Sequence, residues 1–219
     1  MLPWPGGIEA TENGAFVIAL VAAVLYLYHG AQGEGVKWAA IKTVPLALFA
    51  TISFLTGSPW LLVAGLVLSA IGDWSLAFVG EKPFLAGLGA FFLAHIAYIA
   101  LFVLESGSLK FVDAPWRIAI CLALVIHAFW MGAKLAKSVP DALKIPVFAY
   151  IAVISLMGVA AAAYGSLTLL AGALLFAASD TMLATAKFLI GEKDARQPTL
   201  KAGLWITYIA AQVLILVSY

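Results

Sequence analysis

The stretch PWLLVAGLVLSAIGDWSLAFV, Pro59–Val79, holds twenty-one residues and one charge, Asp73. A helix needs roughly 20 apolar residues to cross the hydrocarbon core of a bilayer, and this segment supplies them with an aspartate deep inside. The rest of the chain is like it. Of the 219 residues 64% are hydrophobic and 11% charged, with a mean hydropathy of +1.07. A soluble domain carries about a quarter charged residues and under half apolar ones. No fold could hide that much apolar surface from water, so the solvent must be lipid. The expected fold is therefore all-α, a polytopic transmembrane helix bundle in a single membrane domain, 1–219. Its expected location is the cell (inner) membrane.

Apolar runs between loop-like breaks give eight candidate spans: 15–29, 37–56, 59–79, 84–105, 115–137, 141–163, 166–190 and 199–218. The weakest break is Tyr164-Gly165-Ser166, where two spans nearly fuse, so the range is seven to eight. Glu9 and Glu12 precede the first segment and no Lys or Arg does. A signal peptide has a basic start, so that segment is expected to stay as a membrane helix. With eight spans, Lys37, Lys82, Lys134, Lys137, Lys144, Lys187, Lys193, Arg196 and Lys201 fall on one side and Lys110 and Arg117 on the other. Nine against two places the richer loops in the cytoplasm and both termini outside.

The halves 15–105 and 115–218 echo each other. Gly72-Asp73-Trp74-Ser75-Leu76-Ala77 resembles Ser179-Asp180-Thr181-Met182-Leu183-Ala184. Ala86-Gly87-Leu88 corresponds to Ala202-Gly203-Leu204, and Lys42-Thr43-Val44-Pro45 to Lys144-Ile145-Pro146. Four spans per half is an even number, so the repeat would be parallel.

A charge at mid-bilayer costs on the order of 3 kcal/mol or more and usually faces a bundle interior, where it has a function. Asp73 and Asp180 are such charges, both in the cytoplasmic half. Lys42 lies on the same side, a turn or so into the second span. His95 and Tyr98 share one helix face, as do Tyr208 and Gln212; with Tyr150 they fall near mid-depth. Together these groups could line one cavity. Each has a plainer account. Tyrosines and Gln212 serve as interhelical hydrogen bonds, Lys42 can snorkel to the interface, and His95 can be a structural partner. A buried Asp73–Lys42 ion pair would make that aspartate structural. Two aspartates in matching frames favour function.

Other chemistries find less support. Cys121 is a single cysteine in an apolar run, which leaves no disulfide framework or thiolate metal site. His29, His95 and His127 show no spacing typical of metal ligands, so no metal is expected. No basic run points to nucleic acid, and oligomeric state is open. The residues alone leave three classes of function: a membrane enzyme, a small proton-coupled transporter using Asp73 and Asp180, and a structural or assembly protein.

At these residues the sequence resembles a known family. Ser69-Ala70-Ile71-Gly72-Asp73, then Phe84-Leu85-Ala86-Gly87 through Ala94-His95-Ile96-Ala97-Tyr98, then Gly172-Ala173-Leu174-Leu175-Phe176 to Ser179-Asp180, and Thr207-Tyr208 with Ala211-Gln212 resemble the lysoplasmalogenase (YhhN-like) family. The resemblance runs from about Lys42 to the last residue. It implies an ether hydrolase that cleaves the vinyl ether of alkenyl lysophospholipids, giving a fatty aldehyde and glycerophosphoethanolamine or glycerophosphocholine, with no cofactor. The partners implied are a lysophospholipid substrate and membrane lipids. Vinyl ether hydrolysis needs an acid for the β-carbon and negative charge beside the resulting oxocarbenium ion. Glycosidases divide a comparable task between two carboxyls. Asp73 and Asp180 are the expected catalytic pair, with Lys42, His95, Tyr98, Tyr150, Tyr208 and Gln212 holding substrate and water.

Overall fold

The computed structural model describes residues 2–30, 35–106 and 114–219, and among them are eight α-helices and no strand. These are α1 Thr11–Leu25, α2 Val36–Leu55, α3 Trp60–Leu76, α4 Glu81–Glu105, α5 Trp116–Leu135, α6 Asp141–Tyr164, α7 Leu167–Ala184 and α8 Gln197–Leu216. A π-helical turn continues α1 over Tyr26–Gly30, and another continues α7 over Thr185–Leu189. Seven helices are long and apolar enough to cross a membrane. The eighth, α3, has 17 residues, about 25 Å at the α-helical rise and the lower limit for a span. The chain is an all-α, polytopic integral membrane protein. Lys110, counted above on the lysine-poor side, lies outside the described residues.

Each of the eight expected runs is a helix, with ends shifted by a few residues. The uncertain seam is a true break. Gly165 takes φ +109°, a left-handed conformation that ends α6 and that costs glycine little. Ser166 then caps α7, its hydroxyl accepting from the Leu169 amide at 3.2 Å. The α2–α3 turn uses the same dipeptide: Gly57 has φ +71° and Ser58 follows. Pro59, Pro115 and Pro140 stand just before α3, α5 and α6, and Pro198 lies in the first turn of α8, where a missing N–H leaves no bond unmade.

Residues 1–98 with Tyr219 cluster as one compact unit and 99–218 as a second. In the first, α1 packs on α2 and α2 on α3, with Phe16 and Phe49 rings 5.8 Å apart. Glycines let α4 approach α3: the Tyr98 ring fills the space beside Gly65, Phe91 that beside Gly72, and Leu76 that beside Gly87. In the second, α5 packs on α6, α6 on α7 and α7 on α8. A Cβ on Gly172 would lie 3.1 Å from the Ala211 carbonyl oxygen, and one on Gly203 3.0 Å from Met182 Sδ. Without a hydrophobic drive between helices in lipid, such close backbone approach is a main source of attraction.

Large apolar side chains such as Phe54, Phe129 and Ile145 stand exposed on the outer faces, as a lipid solvent permits. Cation–aromatic pairs mark helix ends: Lys37 over Trp38, Arg117 over Trp116 and Lys134 over Trp130, at 5.0, 5.0 and 4.3 Å. Paired at both ends of α5, they have the composition of interfacial anchors.

Candidate functional site

The first unit holds a buried charge pair. Lys42 Nζ lies 3.6 Å from Asp73 Oδ1, and the Asp73 side chain is 2% exposed. The local chain explains Lys42. Pro45, inside α2, has no N–H to give the Ile41 carbonyl, which relaxes the helix one residue before the lysine. Asp73 is set by the residue before it. With no side chain, Gly72 lets the Phe91 ring of α4 close against α3 beside it. The ring of Tyr26, in the π-helical turn after α1, lies 6.0 Å from Lys42 Nζ. Single π turns recur at functional sites because they re-aim side chains.

His95 and Tyr98 are both fully buried on α4, as their shared face predicts. The His95 Nδ1 to Phe91 carbonyl distance is 2.6 Å. A carbonyl only accepts, so Nδ1 carries the hydrogen, and in the neutral ring the lone pair belongs to Nε2.

The second unit holds the other aspartate in a different setting. Asp180 on α7 is half-buried, and the Tyr150 hydroxyl of α6 donates to its Oδ2 at 2.9 Å. The next residue, Thr181, extends the cluster. Its hydroxyl hydrogen goes to the Ala177 carbonyl at 2.7 Å, so toward His127 of α5, at 3.0 Å, it can only accept. His127 Nε2 therefore carries a hydrogen. Tyr208 is buried on α8 against Phe176 and Trp205, with ring centroids 5.4 and 5.7 Å away, and Gln212 is fully buried one turn on.

Of the predicted residues, direct contacts join Lys42 to Asp73 and Tyr150 to Asp180. In each unit the aspartate sits on the third helix of its half and its partner on the second. The partners differ in kind, a cation for one carboxylate and a phenol for the other. The sequence did not point to Tyr26 or His127. Tyr26 precedes α2 by a break, and His127 is more than fifty residues from Thr181. Position alone marked Thr181, beside the aspartate.

Elsewhere charged groups play smaller parts. Lys144 pairs with Asp141 at 2.7 Å at the start of α6, an exposed pair of little energetic weight. Asp194, in the turn before α8, accepts from the Arg196 backbone and guanidinium at 2.8–3.0 Å. Those hydrogen bonds hold its carboxyl down to about 2. Among the described residues no three His, Cys, Asp or Glu side chains gather as metal ligands would.

Comparison with known proteins bears on these same residues. The chain is 36% identical over 168 residues to a lysoplasmalogenase of Mycobacterium tuberculosis, an alignment that takes in 72% of this chain and 59% of that protein. It is 30% identical over 161 residues to lysoplasmalogenase TMEM86B of Mus musculus, covering 74% of this chain and 64% of the relative. With lysoplasmalogenase TMEM86A of Bos taurus the identity is 27% over 234 residues, covering 98% and 92%. The chain thus spans about three fifths of the length of the mycobacterial relative. No solved structure matches it. The model of the YhhN family matches residues 36–219, from the first residue of α2 onward. Both aspartates, Lys42 and Tyr150 lie within that match, and the chain belongs to the YhhN family.

Proposed function

We propose that this protein is a lysoplasmalogenase, a membrane hydrolase that opens the vinyl ether of an alkenyl lysophospholipid. The observation that carries this reading is its similarity to proteins of that name in a bacterium and two mammals. The two carboxylates suit the chemistry. A proton adds to the β-carbon of the vinyl ether and leaves an oxocarbenium ion. Water adds to that ion, loses a proton and forms a hemiacetal, which collapses to fatty aldehyde and the glycerol hydroxyl. No redox partner enters.

The partners of the two aspartates support one division of roles. Asp73, beside the Lys42 ammonium, is the fixed negative charge that favours the cation. Asp180, oriented by a neutral phenol, is the acid. His95, with its Nδ1 hydrogen committed to Phe91, offers the Nε2 lone pair as a base for water. Preorganised groups of this kind typically contribute factors of about 100 or more each. Tyr98, Tyr208 and Gln212 bind substrate oxygens and water.

The test is incubation of purified protein in detergent with alkenyl, alkyl and acyl lysolipids, read by mass spectrometry. Aldehyde is expected from the alkenyl lipid alone. Asp73→Asn and Asp180→Asn should each abolish it while the protein stays folded. Full activity in either variant overturns the carboxylate mechanism. Flux of unmodified lipid into proteoliposomes, with no bond broken, would identify a transporter instead.

A further inference from the structure

In the first unit, α2 and α3 leave a groove of about 540 Å³, within the range of about 300–1,000 Å³ usual for ligand pockets. Its floor is made of small residues, Ala47, Ala50 and Ala70, and it runs from Thr43 and Trp74 at one end to Phe54 and Val63 at the other. From Thr43 to Phe54 is eleven residues, about 16 Å of helix, or the length of an extended hydrocarbon of roughly a dozen carbons.

Two observations say what fills it. The first is its lack of polar offers. Thr43 and Thr51 supply the hydroxyls of the lining, and both hydroxyl hydrogens are committed to their own helix, to the Ala39 and Ala47 carbonyls at 2.8 and 2.9 Å. Apart from the Trp74 indole N–H at the Thr43 end, the lining has no side-chain donor left for a polar occupant, so the length of groove between its two ends suits hydrocarbon. The second is its end point. Thr43 and Trp74 are the chain neighbours of Lys42 and Asp73, so the groove stops at the level of the buried charge pair.

We infer that this groove seats the hydrocarbon chain of a single-chain amphiphile, with the polar junction of the molecule at the level of Lys42 and Asp73. A diacyl lipid has a second chain that one such groove does not house. The chain seat deepens the proposed function, and the identity of the amphiphile as the substrate rests on that reading.

The experiment uses the full chain in liposomes with a 1-alkyl lysophosphocholine carrying a diazirine midway along its chain. The alkyl ether is not cleaved, so labelling is independent of turnover. Label is expected within 43–54 and 60–76, displaced by excess unlabelled lysolipid and not by diacyl phosphatidylcholine. Ala47 is exposed in the groove, so Ala47→Trp fills it without disturbing the core. That variant should lose labelling at least tenfold and shift preference toward shorter chains. Label spread evenly over the outer faces of all helices, or equal competition by the diacyl lipid, overturns the inference in favour of bulk bilayer. Disulfide formation between copies of Ala47→Cys, with loss of label, overturns it in favour of a contact between two chains. Aldehyde release, measured on the same preparation, separates the two claims. Groove labelling without release from any alkenyl lipid leaves the chain seat standing and removes the enzymatic reading; release without groove labelling does the reverse.

Discussion

Replacing Lys42 by methionine keeps most of the side-chain volume and removes the charge facing Asp73. At 3.6 Å and an effective dielectric of about 20, the pair attracts by about 4–5 kcal/mol. Removing one partner of a buried pair generally costs about 3–5 kcal/mol, because the other charge is stranded. In a membrane protein the unfolded chain in micelles also finds polar partners, which lowers the measured coupling. Lys42→Met and Asp73→Asn are therefore each expected to destabilise the protein by about 2–3 kcal/mol, and the double variant by much less than their sum. Reversible unfolding in mixed micelles of graded denaturing detergent measures all four proteins, and aldehyde release measures their activity. If Asp73 is catalytic, stability returns in the double variant and activity does not. Activity that returns with stability would refute the catalytic role and leave the pair a structural one. A coupling near zero would refute the burial of the pair itself.

Tyr150→Phe removes the 2.9 Å bond to Asp180. A hydrogen bond to a charged or strongly polar partner is worth about 1.5–3 kcal/mol, so kcat should fall about 10- to 100-fold with little change in KM. Gly65→Ala places a methyl where the Tyr98 ring lies; overpacking of this kind costs about 1–3 kcal/mol, seen as a lower midpoint of detergent unfolding. Arg117→Met removes two bonds, 2.7 and 2.8 Å, to the carbonyls of Ala162 and Gly165, and should raise hydrogen exchange over the last turn of α6 and the Gly165-Ser166 break. Asp194 has its folded carboxyl held below the unfolded value. Its contribution is therefore complete above the ordinary carboxylate range and lost as pH falls toward 2. Asp194→Asn should lower unfolding midpoints slightly and evenly between pH 6 and 8, and converge on the parent protein at strongly acid pH.

Much of the fold was open to reading because lipid is an exacting solvent. Backbone groups must bond internally there, so an apolar run of sufficient length has essentially one outcome. Pro59–Val79 shows the rule near its limit, since the helix it forms has 17 residues, about three short of the usual 20. Gly165 shows where hydropathy is blind: the apolar run passes through it almost unbroken, and the break comes from one left-handed residue and a serine cap.

Asp73 and Asp180 were marked by the price of burying a carboxylate, a property of residue and solvent that needs no coordinates. Lys42 was open to reading as the partner of Asp73, since both are charges on the same side of the membrane; the phenol that meets Asp180 was beyond sequence. The helices here are apolar nearly all round, so no amphipathic stripe says which face turns inward. In lipid that rotation is set by close packing at small residues. Gly72 admits Phe91 and Gly65 admits Tyr98, and these contacts set how α4 lies against α3. Their neighbours Asp73 and His95 take their places from it. On α7 the turn that points Asp180 at Tyr150 also points Thr181 at His127, a histidine whose spacing signalled nothing. Composition and solvent thus decided that the chain spans a membrane and which residues are costly to bury there. Helix rotation and approach, which depend on contacts far apart in the chain, decided that one carboxylate meets a cation and the other a phenol.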